Sequence, residues 1–137
     1  MADARMQLFG GPIIGYTSNP TYSTHPVDAS NEGVLWVFQA ETADAITHIG
    51  FRYSLRTGTP PTYRVSLQGV SGTTGFNDGT VKGGGSPASK TFTPPASTAW
   101  DGTVQWIALD NSYTPTRGEI LCAVIEYSSG TIDGSNN

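Results

Sequence analysis

The chain has 137 residues, a length that suits one ordinary domain, with a net charge of −4 and charged residues at only 13%. Seven Lys and Arg with no basic run do not make the electrostatic footprint of a nucleic-acid binder, and no apolar stretch approaches the roughly 20 residues that cross a bilayer as a helix. Cys122 is the single cysteine, which excludes an intrachain disulfide.

In place of charge the chain carries 18 Thr, 13 Ser, 17 Gly and 9 Pro. Threonine suits a pleated, half-exposed surface, while Gly and Pro punctuate turns. Against disorder stand 3 Trp, 6 Tyr and 5 Phe spread along the chain, several within alternating apolar runs, which supply a core. The mixture predicts short strands joined by many turns.

Residues 1–31 have little periodicity and hold Phe9, Ile13, Ile14, Tyr16 and Tyr22 among turn-forming residues. They read as an extended N-terminal arm with one short strand at Ile13–Tyr16, packed across its own domain or onto a neighbouring subunit. The Gly-Gly-Pro break after Leu8-Phe9 is unlike the unbroken apolar core of a secretory signal. Residues 32–137 read as a β-sandwich domain. Val34–Phe38 is a short apolar run, expected as a strand buried on both sides. From Ala45 to Leu55, Thr47, Ile49, Phe51, Tyr53 and Leu55 share one face, and His48, Gly50, Arg52, Ser54 and Arg56 the other. After the turn at Thr57–Pro61, Tyr63, Val65 and Leu67 resume the apolar phase, predicting an antiparallel hairpin with one packed and one wet face. Val70 to Ala88 reads as a long Gly-rich loop. Lys90–Thr93 and Thr103–Leu109 are further strands, Asp110–Gly118 is a turn-rich connection, and Ile120–Tyr127, apolar almost throughout, is a central strand. No helix pattern of adequate length occurs. The fold class is therefore all-β: an antiparallel, jelly-roll-like sandwich with an extended N-terminal arm.

The chemical inventory points away from catalysis. His25 and His48 have no metal-ligand spacing around them, and Cys122 inside an apolar strand is expected as a buried, inert thiol. Neither a nucleophile elbow nor a phosphate loop is present. Glu126, opposite in phase to Ile125 and Tyr127, is the one carboxylate that an enzyme reading would use, and its partner would be Glu41 or Asp44. Asn77-Asp-Gly79, Asp101-Gly102 and Asp133-Gly134 offer oxygen ligands to calcium but are also ordinary turn residues. The expectation is no cofactor, no metal and no catalytic residue. A binding face is the better candidate. The polar side of the predicted hairpin gathers His48, Arg52, Arg64 and Gln68, with Glu126 as a neighbour, and Trp100 in a loop supplies a ring for a ligand such as a glycan.

The run Phe51–Gln68, then Gly75–Gly79, Trp100–Leu109 and Thr116–Tyr127, resembles the jelly-roll, carbohydrate-binding-module-like sandwiches of viral structural proteins, especially phage tails and capsid surfaces. The similarity spans about residues 34 to 128 and lies in strand layout, so it transfers no site residue. It implies a virion structural domain, made in the host cytoplasm, whose partners are other virion subunits or copies of itself. Such a setting reconciles a Thr/Gly-rich surface module with the absence of disulfides, and low charge suits a chain that buries surface in an assembly. The alternative is a carbohydrate-binding module of a cell-surface or secreted protein, with a surface glycan as ligand.

Overall fold

A computed structural model describes residues 4–7, 33–51, 60–72, 75–94 and 105–132. Every regular element among them is a strand: β1 (Ala4–Gln7), β2 (Gly33–Gln39), β3 (Ile46–Phe51), β4 (Thr62–Val70), β5 (Asn77–Val81), β6 (Ser89–Phe92), β7 (Gln105–Tyr113) and β8 (Ile120–Ser129). The protein is all-β. A three-stranded sheet has the order β1-β3-β7. A five-stranded sheet has the order β2-β8-β4, with both β5 and β6 on the far edge of β4. All pairs are antiparallel except β1–β3, which is parallel. Of the predicted arm, Ala4–Gln7 forms β1, and the strand expected at Ile13–Tyr16 lies outside the described residues.

One hydrophobic core joins the two sheets. Ile46, Ile49 and Phe51 of the three-stranded sheet cluster with Tyr63, Val65, Leu67, Leu121, Ala123 and Ile125 of the other. Ile49, Val65, Leu67 and Leu121 are fully buried. The Phe51 and Phe92 rings, 5.5 Å apart and tilted, bridge β3 to β6 across the core. In β4 the odd positions from Tyr63 to Leu67 enter this core and the even ones face outward, as period-two alternation requires. β8 is apolar on both sides because it is central: Leu121, Ala123 and Ile125 face the core, and Cys122 and Val124 are buried on the outer face.

Several expectations are corrected. β3 and β4 do not form a hairpin. β3 pairs with β1 and β7 and β4 with β8, β5 and β6, so the chain crosses from one sheet to the other between them. An alternating stripe fixes which side of a strand is inside, and in a two-sheet fold either sheet can supply that inside. The register shift between Ile46 and His48 places Ile46, not Thr47, in the core beside Ile49. β2 is a rim strand and not buried on both sides: Val37 is 44% exposed. The loop expected over Val70–Ala88 contains β5, and β7 runs through Asp110 to Tyr113, where a turn was expected.

Candidate binding face

The outer face of the five-stranded sheet is built by side chains that register places opposite one another: Gly33, Leu35, Val37 and Gln39 of β2; Glu126, Val124, Cys122 and Ile120 of β8; and Arg64, Ser66 and Gln68 of β4. It divides into two halves. Toward one end Arg64 donates through Nε and Nη2 to Glu126 Oε1 at 2.8 and 2.6 Å, across directly opposed positions of β4 and β8. Both side chains are partly exposed, so the pair is a surface contact of small stabilising worth. Beside it Ser66 and Gln68 are buried polar groups bonded to each other and to β5: Gln68 Nε2 donates to Ser66 Oγ at 2.9 Å and Gln68 Oε1 accepts from Asn77 Nδ2 at 2.8 Å. The other half is apolar. Leu35 is half-buried, and Val37 and Ile120 are 44% and 53% exposed. Cys122 is buried in this face, and burial pushes its thiol above the ordinary value.

A second polar cluster lies where the β7–β8 turn meets the segment after β5. Gly118, at a φ of 87° that favours glycine, shapes the turn. Its N–H donates to Ala40 O at 2.7 Å, and Ala40 N–H donates to Glu119 O at 2.8 Å. Glu119 receives Lys82 Nζ at 2.9 Å, the Tyr113 hydroxyl at 2.9 and 3.1 Å, and the Thr116 N–H at 3.0 Å. Burial pushes the Glu119 carboxyl up, but the bonds from Lys82, Thr116 and Tyr113 outweigh it and hold the group below its ordinary value. The hydrogen bond to Glu119 raises Lys82. Burial and then the neighbouring Glu119 raise Tyr113. Each polar group here already has a partner, so the cluster pins the turn to β7 and to the segment after β5.

Of the residues expected to form one face, Arg64 and Gln68 do share it, but Gln68 is buried and committed. His48 lies in the three-stranded sheet opposite exposed Ala108, with Nδ1 2.8 Å from Thr47 Oγ1, and so faces away from Arg64. Arg52 and Trp100 lie outside the described residues. Glu126 and Glu119 occupy separate clusters, each with its own cation. Among the calcium candidates, Asn77 is hydrogen-bonded to Gln68, and Asp78 Oδ1 accepts the Thr80 N–H at 2.8 Å. Asp101 and Asp133 fall outside the described residues. The apolar half of the face escaped the sequence reading. Its signal was in Val34–Phe38, five large apolar residues without one charge, which do not by themselves tell a rim strand from a central one.

No protein-family model, curated protein or solved structure matches this chain.

Proposed function

We propose that the protein is a non-catalytic virion structural domain, a tail, fibre or capsid-surface component that acts by protein–protein assembly on a jelly-roll-like sandwich. The observation that carries this reading is the apolar half of the outer sheet face, where Val37 and Ile120, two of the three exposed large apolar groups among the described residues, stand beside half-buried Leu35. The order β2-β8-β4-β6 supports the jelly-roll part of it. First and last strands of residues 33–129 lie side by side, while β3 and β7 pair in the opposing sheet. The glycan reading has less to draw on, because Arg64 is the one described member of its residue set that is exposed on this face.

The test is location. Antibody against the full chain, applied in immunogold electron microscopy to particles released from the cells that encode it, is expected to label a regular position on the particle. Recovery of the chain only in the soluble, particle-free fraction overturns the reading, and saturable glycan-array binding lost in Arg64→Ala replaces it with the carbohydrate-binding alternative.

A further inference from the structure

β2 reads Gly-Val-Leu-Trp-Val-Phe-Gln, seven residues without a charge or a proline. It lies at the rim of the five-stranded sheet, bonded on one side to β8 along its whole length from Gly33↔Glu126 to Gln39↔Ile120, and no described strand pairs with its other side. None of its five large apolar residues is buried. Val34, Trp36 and Phe38 pack against the core yet stay half-exposed, and so does Leu35 on the outer face beside the more open Val37. A rim strand presents a row of unpaired N–H and C=O groups, and proteins that keep such a rim solitary guard it with charge, proline or a bulge. β2 has none of the three.

The geometry points to a second copy of this chain as the occupant of that rim, joined β2 to β2 in antiparallel fashion about a twofold axis. The pattern of β2 is self-complementary when Trp36 sits on the axis. Gly33 then lies opposite the partner's Gln39, Val34 opposite Phe38, and Leu35 opposite Val37. This register keeps inward residues opposite inward ones and outward opposite outward, as antiparallel pairing demands. It is also isologous, so each contact is made twice. A twofold axis brings like charges together, which a chain with net charge −4 resists; the seven neutral residues of β2 add no such charge to the seam. The product is one continuous sheet across two copies, with both Val34-Trp36-Phe38 rows extending a shared core and both Leu35/Val37 rows closing the outer side.

This inference deepens the assembly reading and rests on it, and the experiment separates the two. Sedimentation equilibrium of the full chain is expected to show a dimer that weakens at least about tenfold in Val37→Lys, since the twofold places two introduced charges in one interface. Leu35→Lys should act alike. The double variant Leu35→Glu with Val37→Lys puts opposite charges across both symmetry-related pairs and should restore the dimer, whereas Leu35→Lys with Val37→Lys should not. The exposure of Val37 keeps that variant folded, which an unchanged β-type circular dichroism spectrum checks. A chain monomeric at all concentrations, its rim open or kept for a foreign strand, overturns the inference even if particles are labelled. So does a dimer indifferent to these substitutions, or one that the charge-swapped pair fails to rescue. A rescued dimer that is absent from particles leaves the β2 pairing standing and removes the virion reading alone.

Discussion

At the β5/β6 rim of the five-stranded sheet, Lys90 of β6 reaches Asp110 of β7 at 2.6 Å, Lys82 just beyond β5 reaches Glu119 at 2.9 Å, and Asp78 of β5 is exposed. At the β2 rim there is no charge for seven residues. The first rim is tied to the facing sheet and the β7–β8 turn, and its charges also discourage strand addition. The second is apolar on both sides, and no strand among the described residues pairs with its far side. Two ends of one sheet, made by one chain, thus differ sharply in charge. The difference teaches that charge is not spread evenly over the described rims: the β5/β6 rim carries it, and β2 carries none.

The comparison is broken most strongly from the middle of the sheet. Leu121 of β8 is fully buried against Phe38 and the inner face, so Leu121→Ala should cost about 2–5 kcal/mol of unfolding free energy by chemical denaturation. Val37→Ala, one strand out and 44% exposed, should cost under about 1 kcal/mol. Equal losses would mean that β2 is as central to the monomer as β8. The guarded rim comes next. Glu119→Gln leaves Lys82 without its counter-charge and weakens three bonds, for about 1–2 kcal/mol. Because the folded Glu119 carboxyl lies below its ordinary 4.5, its contribution is present above that pH and is lost as pH falls through the folded value. The wild-type melting midpoint should therefore drop between pH 6 and pH 3 by more than that of Glu119→Gln. At the alkaline end, the raised Lys82 gives a contribution held below 10.5 and lost as pH climbs past the folded value.

How far the fold was legible follows the same division. β4 and β8 could be read because their neighbours on both sides enforce a pattern: strict alternation in Tyr63-Arg64-Val65-Ser66-Leu67, and a nearly unbroken apolar run in β8. The partner of β3 could not be read. Ile49 and Phe51 say only that one side is dry, and the crossing to the other sheet is decided by tertiary packing. β7 outran its expected end because Asp110, Asn111 and Ser112 carry turn chemistry while Tyr113 beyond them packs on the core, and that packing overrides the local preference. On the binding face, Arg64 was visible as an outward residue, and its pairing with Glu126 depends on the β4–β8 register. Gln68 looked equally outward. Only the positions of Ser66 and Asn77 reveal that its amide is used up inside the protein.

The finest distinction between the rims concerns the exposed pair Lys90–Asp110, whose side chains are 43% and 55% accessible. Such a pair gains little in water, because the Coulomb attraction is screened and two long side chains lose freedom to form it. If its office is to guard the edge of β6 and not to hold the sheets together, Lys90→Ala should lower the unfolding free energy by less than about 1 kcal/mol. That small loss should vanish near 1 M salt, where the screening length is only about 3 Å. A loss that persists in high salt, or one as large as that of Glu119→Gln, would make the pair a clasp between β6 and β7. The two rims would then differ in how they hold the two sheets together, and not only in what they allow to dock.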